Sequence, residues 1–214
     1  DFELAIVYHQ LGEFAKGEEA IRRVIAREGE QDGLVIDLAQ MMLVQGRGFE
    51  TVEYLNEVLE RHPEFPGVRW MLGGLYLRAG EAENAVRLYR AGVEARPEDH
   101  TAFVRLAEAE WAAGRAGLAA EALAAALEFE PGAAGFRKDY AMALESAGSR
   151  DEALEQMTRA AEDADPSVQA DFFRMAAGMA YRIGDSDEAD RLNRRADEVE
   201  AAAAAGEVRK NQGH

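Results

Sequence analysis

Side chains able to carry chemistry are sparse in this sequence and do not gather into a reacting set. The four histidines, His9, His62, His100 and His214, are scattered, and no two have the i, i+4 spacing of paired metal ligands on a helix. There is no cysteine, which removes thiol nucleophiles and disulfides and leaves the redox compartment open. The phosphate-cradling pattern GxxxxGK followed by Ser or Thr is missing, as is the nucleophile elbow GxSxG. Asp185, Asp187, Glu188 and Asp190 form a carboxylate cluster at a helix start, where negative charge suits the helix dipole. Their spacing lacks the calcium-loop pattern. Catalytic residues, metals and cofactors are therefore not expected. What remains is recognition chemistry, carried by Trp70, Trp111 and a few basic residues. Trp and Arg most often dominate binding energy at interfaces, at about 2 kcal/mol or more each when centrally buried.

The elements that would position these residues follow from the glycines. From Gly80, steps of 34 residues land on Gly114 and Gly148 downstream and on Gly46 and Gly12 upstream; a further step of 36 lands on Gly184. A fixed period of this length, with a turn glycine at each step, marks a stack of helical hairpins. Eight residues before each glycine stand Leu4, Leu38, Leu72, Leu106, Tyr140 and Ala176, followed by the small residues Ala5, Ala39, Gly73, Ala107, Ala141 and Ala177. Past the glycine, the fifth residue is Gly17, Thr51, Ala85, Ala119, Ala153 or Ala189. The ninth is Ile21, Leu55, Tyr89, Leu123, Met157 or Asn193. Apolar and small residues at spacings of three and four define one helix face, and small facing small lets two helices approach closely.

Pro63, Pro97 and Pro131 each stand 17 residues past a turn glycine and stop the second helix of a repeat. In the fifth repeat Asp165 holds that place and Pro166 follows, so a slightly longer turn is expected to absorb the 36-residue step.

With these residues in place, the chain resembles the tetratricopeptide repeat family over nearly its whole length, most strongly in 66–99 and 100–133. The resemblance implies an all-α, right-handed superhelical α-solenoid of about six helix-turn-helix repeats. They are expected at about 1–31, 32–65, 66–99, 100–133, 134–169 and 170–205, as one domain followed by a flexible tail at 206–214. Glu110 and Ala180 depart from the family in replacing a bulky residue, and the small, polar last repeat suits a cap.

The family's first helices line a concave groove. Carried onto this sequence, that surface comprises Ile36, Gln40 and Leu43; Trp70, Leu77 and Arg78; Val104, Glu108 and Trp111; Lys138 and Met142; and Arg174, Tyr181 and Arg182. The expected ligand is a peptide segment or helix of a partner protein, anchored on the tryptophans, with Lys138, Arg174 and Arg182 facing an acidic or C-terminal group. The alternative role for the tryptophans is gap-filling between neighbouring helices. Co-chaperones of the family that grip a chaperone's C-terminal carboxylate use Lys and Asn on successive first helices. Here those positions hold Ile36 and Gln40, Trp70 and Gly74, and Val104 and Glu108, so that clamp is absent. The resemblance implies a non-enzymatic scaffold or adaptor assisting a bacterial, envelope-type complex. A targeting array of a larger enzyme, such as a glycosyl- or sulfotransferase, and a self-assembling scaffold stand as alternatives.

Composition narrows the partners further. With 24 Lys and Arg against 41 Asp and Glu, the formal net charge is −17. This argues against nucleic acid and against an anionic membrane surface. It suits solubility of a long exposed array, adaptation to a salty environment, or a basic partner. No run of 18 apolar residues is present, so no membrane insertion is expected. The start at Asp1 without a methionine suits a processed leader, a trimmed chain or a piece of a larger protein. Only three lysines (Lys16, Lys138, Lys210) and abundant alanine suggest a GC-rich, bacterial source, in cytoplasm or periplasm.

Overall fold

A computed structural model describes residues 2–212, with side-chain surroundings for 3–205. Among the described residues there are twelve helices and no strand. The sequence shows no linker, yet the chain divides into two compact units at Arg96/Pro97. In a repeat array each hairpin packs chiefly on its neighbours, so an ordinary repeat junction can serve as such a boundary. The first unit holds α1 (Phe2–Gln10), α2 (Phe14–Glu28), α3 (Asp32–Val44), α4 (Gly48–Arg61), α5 (Pro66–Arg78) and α6 (Ala82–Ala95). The second holds α7 (His100–Ala112), α8 (Ala116–Phe129), α9 (Ala134–Ala147), α10 (Arg150–Asp163), α11 (Pro166–Ile183) and α12 (Ser186–Gln212). Within each unit three hairpins stack in chain order.

Each hairpin turns on its glycine. Gly80 has φ 77°, and the other five turn glycines lie in the same left-handed region, between 74° and 95°. The Gly80 N–H donates to the Leu77 carbonyl at 3.0 Å and the Glu81 N–H to the Tyr76 carbonyl at 2.8 Å. These bonds close the exposed end of α5 in a Schellman motif. The bond from the residue after the glycine to the carbonyl five residues back recurs in every hairpin, from Glu13, Arg47, Arg115, Ser149 and Asp185.

Close helix approach follows from the small residues on either side. Ala5, Ala39, Ala107, Ala141 and Ala177 are buried, as are Thr51, Ala85, Ala119, Ala153 and Ala189. Ile21, Leu55, Tyr89, Leu123 and Met157 fill the space between them. The last hairpin departs from the expected register, since Leu192 is fully buried and Asn193 exposed. On α12 the buried set runs Ala189, Leu192, Ala196, a three-then-four spacing that still keeps one helix face.

The 36-residue step is also built differently from the expectation. Only Ala164 and Asp165 separate α10 from α11, so the turn is short and α11 is long, at 18 residues against 13 for α5. Asp165 caps α11, accepting from the Ser167 N–H at 2.9 Å, and Pro166 occupies the first helical turn. Proline there lacks no hydrogen bond the helix could use. The sixth hairpin therefore begins at Pro166 and not at 170. At the other end α12 continues to Gln212, past Gly206 where the tail was expected; residues 213 and 214 lie outside the described residues, as do the side chains from 206 onward.

Two devices tie neighbouring hairpins together. Asp32, in the first turn of α3, accepts from the N–H groups of Gly67 and Val68 at 2.9 Å each, so one repeat caps the first helix of the next. Glu18 on α2 accepts from Arg22, Gln45 and Arg47, at 2.8, 2.9 and 2.7 Å. Burial works to raise its carboxyl, but these hydrogen bonds together outweigh it and hold Glu18 below the ordinary value of 4.5.

Candidate functional site

Two side-chain stripes in the second unit face a common recess of about 340 Å³. Val104, Glu108 and Trp111 are spaced i, i+4, i+7 on α7 and so share one helix face. Asp139 and Met142 stand i, i+3 on α9. Ala107 and Leu123, both nearly inaccessible, form the floor, and Ala112 completes the lining. Trp111 is 38% exposed, so the recess presents open aromatic surface above an apolar floor.

The charges around the recess are unequal. The Lys138 ammonium stands 2.8 Å from the Asp139 carboxylate and compensates it. Glu108 is exposed, and among the described residues no cation pairs with it. The recess thus joins an apolar interior to one uncompensated carboxylate.

Of the residues expected to line a groove, Val104, Glu108, Trp111 and Met142 come together here. Gln40 lines a separate, smaller recess in the first unit, of about 230 Å³, with Ile6, His9, Gln10 and Asp37. Burial pushes the Asp37 carboxyl up from its ordinary 3.8, with His9 opposing the shift. Ile36 is half-buried and its Cδ1 lies against the Gly67 backbone, a packing role between α3 and α5. Leu43, Trp70 and Leu77 are half-buried. The Trp70 carbonyl accepts from the Tyr89 hydroxyl at 3.2 Å. Arg78 is exposed and folds back toward Gly74.

The basic residues expected to await an acidic ligand already hold carboxylates of this chain. Arg182 donates to both oxygens of Glu145, at 2.7 and 3.0 Å. Arg174 pairs with Glu200 at 2.8 Å and with Asp197 at 3.4 Å. Tyr181 between them is 72% exposed. An incoming carboxylate would have to displace these internal partners. Such exposed ion pairs contribute little to stability, typically under about 1 kcal/mol each.

Two of the histidines, His62 and His100, serve repeat junctions. His62 stacks on Phe65 at 4.5 Å between ring centroids and approaches Glu30 and Glu64 at 3.2 Å each. His100 meets Glu130 at 2.8 Å, His9 packs edge-on against Phe14, and His214 lies outside the described residues. Among the described residues no group of three or more His, Cys, Asp or Glu could hold a metal ion. No described helix is long and apolar enough to cross a membrane.

Asp139 was not among the expected lining residues, because it stands nine places before its turn glycine, outside the chosen stripe. Its i, i+3 spacing to Met142 is the signal that could have found it.

Hairpins of this length and packing, with a recess on their first helices, define an all-α helical-repeat protein. The sequence model of the tetratricopeptide repeat matches residues 43–109. Among solved structures, MamA (residues 41 to the end) from Desulfovibrio magneticus RS-1 is 20% identical, with 81% of this chain and 97% of that chain covered and a TM-score of 0.68. YrrB, a tetratricopeptide repeat protein with an unusual peptide-binding site, is 19% identical over 91% of this chain and 99% of its own, also at 0.68. A further MamA structure is 18% identical over 78% and 97%, at 0.67. At these identities the likeness concerns the fold. No curated protein matches the sequence. Residues 43–109 thus carry the tetratricopeptide repeat signature, and the fold is the all-α repeat architecture of tetratricopeptide repeat proteins.

Proposed function

We propose that this protein is a non-enzymatic scaffold that seats an extended or helical segment of a partner protein in the α7–α9 recess. The observation that carries the reading is the Trp111 indole, held open above the Ala107–Leu123 floor and flanked by Val104 and Met142. Apolar surface shaped in this way gains free energy when a partner side chain covers it. Tetratricopeptide repeats are typically interaction modules, and the similar YrrB has a peptide-binding site. The role served is assembly or localisation of a complex, envelope machinery being the family analogy.

Immobilised wild type and Trp111→Ala, compared in extract of source cells, test the reading. Loss of a central aromatic anchor worth about 2 kcal/mol corresponds to about a thirtyfold weaker complex. One partner retained by the wild type and lost from the variant, at equal helicity by circular dichroism, is the expected result. Unchanged retention of every bound protein would move the binding surface away from this recess.

A further inference from the structure

The geometry points to an arginine side chain, borne beside an apolar residue on the partner segment, as the group the α7–α9 recess receives. This assignment rests on reading the recess as a docking site and specifies its occupant.

The argument starts from what each wall offers. Val104 and Met142 present aliphatic surface, Trp111 an exposed ring, and Glu108 an unpaired carboxylate one helical turn from that ring. Asp139, the other acid of the lining, is occupied by Lys138 at 2.8 Å. An acidic ligand would meet Glu108 with like charge, in a chain whose net charge is already −17. A purely apolar segment would cover Glu108 and strip its water without replacing the lost hydrogen bonds. A guanidinium answers all three walls together. It stacks on an indole face, donates a fork of N–H groups to a carboxylate, and carries a methylene stem that covers aliphatic neighbours. Lysine fits less well, since its compact, strongly hydrated ammonium neither stacks nor bonds bidentately. The remaining floor, Ala107 and Leu123, leaves apolar surface for a residue beside the arginine. A protein segment supplies both groups at once.

The test uses the full chain and three fluorescein-labelled twelve-residue peptides: one alternating arginine with leucine, one with glutamine for each arginine, one with glutamate. Anisotropy titrations are run at 150 mM salt with wild type, Glu108→Gln, Trp111→Ala and Glu121→Gln. Glu121 is exposed on α8 outside the lining, so its variant loses the same charge elsewhere. The arginine peptide is expected to bind, and to weaken about tenfold in Glu108→Gln but less than about twofold in Glu121→Gln. Equal weakening in both variants would show general charge attraction and overturn the assignment. If the glutamine or glutamate peptide binds as tightly as the arginine peptide and is lost in Trp111→Ala, the arginine assignment falls while the recess remains a docking site. If no peptide responds to Trp111→Ala, both fall.

Discussion

An Arg115→Met variant is expected to unfold about 2–3 kcal/mol more readily than the wild type, and adding Glu110→Leu is expected to restore more than half of that loss. Glu110 occupies the place where Met42, Tyr76 and Leu144 stand in other repeats, and it is 1% exposed. Arg115 Nε donates to Glu110 Oε2 at 2.5 Å, which makes the buried carboxylate tolerable. Methionine keeps much of the arginine's apolar volume but withdraws this charged donor. Removing one partner of a fully buried ion pair costs about 3–5 kcal/mol; the Arg115 side chain is a third exposed, so a smaller loss, about 2–3 kcal/mol, is expected here. Replacing both partners by apolar groups removes the charge along with its need for a partner. Hydrogen exchange of α7 and α8 amides reads the effect locally, where a whole-chain midpoint would blend the hairpins. A double variant no more stable than Arg115→Met would contradict the account.

Gly73→Ala is the second large effect, expected to destabilise the α5–α6 hairpin by about 1–2 kcal/mol. Alanine is the ordinary residue at this position in all five other repeats. Here a Cβ would stand 2.4 Å from Tyr89 Cζ and 2.5 Å from Cε1. Tyr89 is 1% exposed and its hydroxyl bonds to the Trp70 carbonyl, so the ring has no room to swing aside. Overpacking of this kind costs about 1–3 kcal/mol, against a helix-propensity gain near 1 for Gly to Ala. Tyr89→Leu alone leaves a void, whereas Gly73→Ala with Tyr89→Leu reproduces the pairing found at Ala39 with Leu55. The double-mutant cycle is expected to show favourable coupling above about 1 kcal/mol; additive effects would mean that the glycine is not there to admit the tyrosine.

Features governed by local sterics were legible in the sequence. The turn glycines, the stopping prolines and the small residues at the helix contacts each follow from one residue's conformation or size, and their spacing repeats. The stripe Val104, Glu108, Trp111 was legible for the same reason, since a helix fixes which residues share a face. What the sequence left hidden depends on residues distant along the chain. Glu145 and Arg182 are 37 positions apart, so nothing local shows that they neutralise each other. Asp32 and Val68, 36 apart, give no hint that one repeat caps the next. The long step to Gly184 was open to two constructions, and the Asp165–Pro166 cap turned it into a longer helix. At the last hairpin, a one-residue change of register between Leu192 and Asn193 escaped position counting because both readings keep a helical spacing.

The most direct test of the recess as a docking site is photo-crosslinking in source cells, with a photoreactive amino acid at position 142 and, separately, at the exposed position 159 on α10. A discrete cross-linked partner from position 142, absent from position 159 and suppressed by Trp111→Ala, is the predicted result. A partner captured from position 159 and never from 142 would contradict the account and place recognition on another face of the repeats.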